Sequence, residues 1–209
     1  MPDHPETHAH YWRPSAAAGG ITVVLLHGTG GDERDLVPLA ERVAPGAALL
    51  GVRGNVLEHG ARRFFRRLAE GVFDLEDLRV RTEALAAFLE GARQRYAIAP
   101  STMYALGFSN GANIAASLLL THPGALAGAA LVRAMIPFEP SEAVDLAARP
   151  VLLSQGRSDP LVPVETGERL GALLRARGAK VELAWQVAAH AVVPGDVTVL
   201  EEWFRTRGT

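Results

Sequence analysis

The run ITVVLLHG at 21–28 constrains this chain more than any other stretch. Its positions are apolar or β-branched consecutively, not at every second residue, so as a strand it offers no face suited to water. A strand buried on both faces needs a layer above and a layer below, which points to a parallel sheet. Further strand-like runs are AALLGV (47–52), TMYALGF (102–108), ALAGAALV (125–132), PVLLSQG (150–156) and KVELAWQV (180–187). Helical patterns separate most of them. GDERDLVPLAERVAP has Asp32 as an N-cap, and a long amphipathic stretch runs from Leu75 to about Tyr96. SNGANIAASLLLTH is stopped by Pro123, VETGERLGALLRARG is closed by Gly178, and DVTVLEEWFRTR is the last helix. Such alternation implies right-handed crossovers and an α/β architecture, a mostly parallel central sheet flanked by helices on both faces. Within 209 residues we expect one domain, 21–209, behind a polar lead-in at 1–20.

Composition narrows the function. A net charge of -2 supplies no general attraction to nucleic acid or anionic membranes, and no apolar run is long enough to span a bilayer. The lead-in lacks the basic end and apolar run of a secretory signal, so the expected location is cytoplasmic. With no cysteine in the chain, disulfides, thiolate metal sites and a thiol nucleophile are all excluded. Oligomeric state is left open, a homodimer included.

The sharpest local feature is ALGFSNGA (105–112), where Gly107, Ser109 and Gly111 alternate as a strand passes into a helix. G-x-S-x-G in that setting is the pattern of a nucleophile elbow. A Cβ two residues before or after the serine would collide with neighbouring chain, and glycine removes the collision. A serine N-cap in a glycine-rich turn is the plainer alternative. The choice depends on partners, because a serine hydroxyl needs a base, and the base needs an orienting group.

Both partners are available in the order such sheets use. Asp159 follows the strand PVLLSQG in RSDPLVP, where it could also serve as a turn or N-cap residue. His190 follows KVELAWQV in AAHAVVPGD and is the only histidine after His122. His4, His8 and His10 fall in the lead-in, where a metal site has little support; His59 lies in an irregular region and His122 at a helix end. His27 opens the turn HGTGG (27–31), which can aim a backbone N–H at the space above the serine. We assign two oxyanion donors, the amides of Thr29 and Asn110. The turn lacks the lysine of a nucleotide-binding loop.

With these pieces in place, the chain resembles the α/β-hydrolase superfamily, and within it the small carboxylesterase/phospholipase group that includes acyl-protein thioesterases. LLHGTGGDE, ALGFSNGA, GRSDPLVP and the late histidine carry the likeness. RGNVLEHGARRFFRRLAEGVFD and LVRAMIPFEP (131–140) are similar to stretches of bacterial carboxylesterases associated with hydroquinone and catechol stress. The resemblance covers nearly everything from about residue 20 onward. It implies Ser109, Asp159 and His190 as a catalytic triad, Thr29 and Asn110 as the oxyanion hole, no cofactor or metal, and no large cap domain. Ala189 departs from the group, which usually has glycine before the histidine.

Two apolar clusters are candidates for substrate contact. Phe64 and Phe65 sit among Arg62, Arg63, Arg66 and Arg67, either as a lid or as the buried side of a short amphipathic helix. Ile136 and Phe138 form a second wall by resemblance. The implied reaction is hydrolysis of small-molecule carboxylic esters with small to medium acyl groups. The alternatives are a thioesterase or lysophospholipase on longer chains, or a hydrolase-fold binder without turnover.

Overall fold

The structure is a computed structural model that describes residues 8–17, 19–140 and 144–208. Strand β1 (His10–Arg13) is followed by β2 (Thr22–Leu26), helix α1 (Val37–Val43) and β3 (Ala48–Val52). Two small hairpins come next, β4 (Val56–Glu58) with β5 (Ala61–Arg63), and β6 (Arg67–Ala69) with β7 (Val72–Phe73). Then follow α2 (Leu75–Tyr96), β8 (Met103–Phe108), α3 (Asn110–Thr121), β9 (Gly128–Val132) and β10 (Pro150–Gly156). The chain ends with α4 (Val164–Ala176), β11 (Lys180–Gln186) and α5 (Pro194–Arg205).

One seven-stranded sheet organises these elements in the order β1-β3-β2-β8-β9-β10-β11, parallel throughout except for β1, which runs antiparallel to β3. The period of two along each strand divides the core. Val24 and Leu26 of β2 join Leu50 and Val52 of β3 beneath α2, α3 and α4. Val23, Leu25 and Leu49 face the other way, against α1 and α5, where Trp203 and Phe204 are buried. All five residues of β2 are buried, as a doubly covered strand requires. Among the described residues no helix is long and apolar enough to cross a membrane.

Three local expectations need correction. Residues 10–13, read as part of the lead-in, form the antiparallel edge strand, and Trp12 stacks on Tyr96 of α2 at 4.3 Å between centroids. His10 and His8 belong to this packing, through Nε2 of His10 with Tyr96 Oη and Nδ1 of His8 with the Arg53 carbonyl; His4 lies outside the described residues. Helix α1 begins at Val37, not after Asp32, because Pro38 has no N–H to donate and its ring would strike the carbonyl four residues earlier. Asp32 instead closes a turn by accepting from the Arg34 amide at 2.7 Å. The arginine-rich region is not a short amphipathic helix but the pair of hairpins, β4–β5 and β6–β7.

Phe64 and Phe65 lie between those hairpins with 1% and 0% of their surface exposed, inside the core beneath α2 and α3. Phe65→Ala should therefore cost about 3–5 kcal/mol and lower Tm by roughly 10 °C. Equilibrium denaturation checks this; unchanged stability would place the ring outside the core.

The turn after β2 is fastened by a neutral imidazole. His27 Nε2 accepts from the Gly54 amide at 3.0 Å, so Nδ1 carries the proton and donates to the Gly28 carbonyl at 2.6 Å. Burial pushes the His27 pKa below its ordinary value, outweighing the opposing Gly28 bond and the acids at 32, 33 and 35. The unfolded chain then binds a proton near pH 6.5 that the folded chain refuses. This contribution to stability is complete above that pH and declines as pH falls through it. Denaturation midpoints measured from pH 7.5 to 5 should fall more steeply for the native protein than for His27→Gln.

Candidate active site

Ser109 occupies the bend between β8 and α3 with φ 51° and ψ -114°, a left-handed backbone that residues with a Cβ adopt at a cost. The flanking glycines are steric necessities. A Cβ on Gly107 would lie 2.7 Å from Cα of Ala112, and one on Gly111 would overlap the carbonyl of Leu26. Both obstacles are main chain and cannot swing aside. The Ser109 amide donates to the Val132 carbonyl at 2.9 Å, which anchors the bend to the end of β9.

His190 stands in the loop between β11 and α5, with its Nε2 2.8 Å from Ser109 Oγ and its Nδ1 2.7 Å from Asp159 Oδ2. A carboxylate only accepts, so the Nδ1 proton goes to Asp159 and Nε2 is left to accept from the serine hydroxyl. Asp159 has a fully buried side chain, while that of His190 is 19% exposed, enough to meet a ligand from solvent. The second carboxylate oxygen accepts from the amides of Leu161 and Val162 at 2.9 and 3.2 Å. Asp159 therefore closes its turn with one oxygen and is hydrogen-bonded to the histidine with the other. Ala189 does not adopt a positive φ, so the missing glycine before His190 introduces no backbone strain.

The amides of Thr29 and Asn110 have no hydrogen-bond partner among the described residues, and both residues border the cavity above Ser109. The β4–β5 hairpin holds them there. Arg63 Nη1 donates to Thr29 Oγ1 at 2.7 Å, the Gly30 amide donates to the Arg62 carbonyl at 2.8 Å, and the Phe64 amide donates to Asn110 Oδ1 at 2.7 Å. Arg63 is 4% exposed; burial pushes its pKa down, with Glu58 at 3.5 Å opposing. Its role was missed in sequence because four arginines in six residues read as a solvated face. Only the even spacing of a short strand sends Arg63 inward.

The cavity has a volume of about 200 Å³. Phe73, Phe108, Met135, Leu161 and Val162 provide apolar wall, while Arg67 and Glu70 add charge. The four residues expected to contact substrate do not border it. Phe64 and Phe65 are core, and Ile136 and Phe138 pack against the edge of that core, Phe138 facing a separate surface depression with Pro140 and Val144. The neighbouring Phe73 and Met135 take the places assigned to them, because the hairpin turns Phe73 up against Phe65, and Asn113 Oδ1 pins the Met135 amide at 2.8 Å.

Comparison with known proteins identifies the family. Residues 79–206 match the phospholipase/carboxylesterase family. MhqD of Bacillus subtilis is 44% identical over 183 residues, which cover 88% of this chain and 92% of that protein. The crystal structure of a Bacillus cereus carboxylesterase superposes with a TM-score of 0.94 at 42% identity, covering 97% of this chain and 95% of that one. A Mesorhizobium loti carboxylesterase gives a TM-score of 0.90 at 32% identity over 98% and 97%. With the family match spanning more than half the chain and these relatives nearly all of it, the protein belongs to the phospholipase/carboxylesterase family of α/β hydrolases.

Proposed function

We propose that the protein hydrolyses carboxylic esters through an acyl-enzyme on Ser109. The observation that carries this reading is the unbroken hydrogen-bonded chain Ser109–His190–Asp159 at 2.8 and 2.7 Å. As the hydroxyl attacks the ester carbonyl, His190 Nε2 takes its proton, and Asp159 keeps the other ring nitrogen protonated and supports the developing imidazolium. The carbonyl oxygen gains negative charge and is met by the unpaired amides of Thr29 and Asn110, each contributing on the order of 3 kcal/mol to lowering the barrier. The start of α3 adds a favourable dipole at the same point. His190 then returns the proton to the departing alcohol, and a water repeats the sequence on the acyl-enzyme. The N–H donors, the base and its orienter are all the chain's own.

The cavity favours small to medium acyl groups. About 200 Å³ falls below the roughly 300–1,000 Å³ of pockets that enclose drug-sized ligands. Phe73, Met135, Leu161 and Val162 would receive the acyl or alcohol part. A thioesterase or lysophospholipase uses the same chemistry but needs a longer apolar channel than these walls enclose. A binder without turnover has no need of a base held by an orienter.

Ser109→Ala should lower kcat by about four orders of magnitude or more with Tm unchanged or higher, since the methyl is accepted wherever the serine is. A fluorophosphonate should label the native protein at Ser109 and leave the variant unlabelled. A panel of esters varied separately in acyl and alcohol parts should peak at short acyl chains. Preference for a long-chain thioester or lysolipid would transfer the assignment to the alternative, and an unlabelled, inactive native protein would leave only the binder.

A further inference from the structure

We propose that Arg133 is the positioning residue for His190, gripping the peptide carbonyls on both sides of it. This rests on the reading of His190 as the general base.

The loop that carries His190 has little apolar anchorage of its own. Its other side chains are Ala188, Ala189, Ala191 and three valines, of which Val187 is 93% and Val192 38% exposed. Its amides make a bond to the Asp196 carboxylate from Val193 and a tight turn from Ala191 to the Ala189 carbonyl. The Ser158 amide donates to the Ala188 carbonyl, and the His190 ring meets Asp159 and Ser109; the other carbonyl contacts come from one guanidinium. Arg133 Nε donates to the Ala189 carbonyl at 3.1 Å, and Nη2 donates to the Ala191 carbonyl at 2.6 Å. The two acceptors flank His190 in sequence. The Ala189 carbonyl lies in the peptide plane directly before its Cα and the Ala191 carbonyl in the second plane after it, while the plane between is tied by the Ala191 amide to the same Ala189 carbonyl.

The guanidinium is itself held rigidly. It is 0% exposed and forms a two-pronged pair with Asp196, Nη1 to Oδ1 at 2.9 Å and Nη2 to Oδ2 at 2.8 Å, with a further bond from Nη1 to the Ser154 carbonyl at 3.0 Å. Asp196 also accepts from Ser154 Oγ at 2.6 Å and from the Val193 amide at 2.8 Å, which joins the start of α5 to β10. The loop is thus referred to the sheet end from which Ser109 and Asp159 also depart. Only a planar fork with several donors reaches a carboxylate and carbonyls on separate segments at once.

Arg133 has φ 57° at the first position after β9, a conformation that glycine would adopt without penalty. Keeping a large side chain there is accounted for by what that side chain holds. Arg133 borders the cavity, but all five of its guanidinium N–H bonds are committed to Asp196 and to main-chain carbonyls, so its effect on the reaction passes through His190. Displacement of a base by about 1 Å is enough to cost on the order of 100-fold in rate.

The test compares Arg133→Lys with native protein. Lysine keeps a cation beside Asp196 but cannot span both carbonyls. The amount of fluorophosphonate incorporated at completion counts folded sites, so kcat is expressed per labelled site. We expect it to fall about 30- to 100-fold with KM within threefold, and the labelling rate to fall in parallel. A purely structural role would reduce the number of sites and not the rate at each. A second variant, R133Q/D196N, removes both charges while retaining polar groups, and the same loss per site is expected. kcat per site within twofold of native in either folded variant overturns the proposal. So does failure of both variants to fold, which would make the pair a requirement of folding. His190→Ala is measured alongside: if it stays active, the base assignment itself fails, whereas a dead His190→Ala beside a fully active Arg133→Lys removes only the grip.

Discussion

The approach of α3 to the sheet is the constraint to which everything else conforms. Gly111 lies so near the Leu26 carbonyl that no side chain fits between them, and a side chain on Gly107 would strike the backbone of Ala112. With α3 pressed against β2 and β8, the residue at the corner has one conformation available, and Ser109 adopts it at φ 51°. The hydroxyl is thus presented from a corner whose backbone is held by main-chain packing. Helix α3 is buried from Asn110 to Leu120, so the corner cannot relax without opening the core on both sides of that helix.

Around this rigid corner the chain spends its buried polar groups on placement. The carboxylate of Asp159 is divided between a turn and an imidazole, Arg63 steadies the Thr29 turn, and Asn110 and Asn113 use their side-chain oxygens to fix Phe64 and Met135. Each is a polar side chain taken out of water that spends a hydrogen bond on holding a neighbouring segment in place. The loops at the sheet's carboxyl edge are ordered by hydrogen bonds, while strands and helices are ordered by packing.

That division explains how much was legible in the sequence. The parallel strands announced themselves because double burial leaves unbroken apolar runs, and α2 to α5 because their termini and periods are regular. Ser109, Asp159 and His190 stood out because each follows a strand end in a recognisable order, and the structure brings the three together. Strand β1 was hidden since HYWR neither alternates nor lies fully buried. The hairpins at 56–73 were hidden because strands of two or three residues are too short to show a period. Arg63, Arg133 and Asp196 were hidden for the opposite reason, as charged residues read as surface until the fold shows what they hold. The cavity walls were misassigned by one residue at Met135 and by a whole hairpin at Phe73, because side-chain direction in irregular chain cannot be read from composition.

The parallel register has a bearing on the site that no loop residue has. The proposed nucleophile, orienter and base hang from β8, β10 and β11, and these strands are joined through successive ladders by way of β9, in which Gly156 stands opposite Gln186 and Phe108 opposite Val132. One residue of slip along a strand is about 3.3 Å, more than a whole hydrogen bond can absorb. The sheet thus acts as a gauge block for the chemistry above it, its increments set by peptide length. Variation can therefore accumulate in the β6–β7 hairpin and reshape what enters the cavity, while the spacing of the reacting groups stays tied to strands that it does not touch.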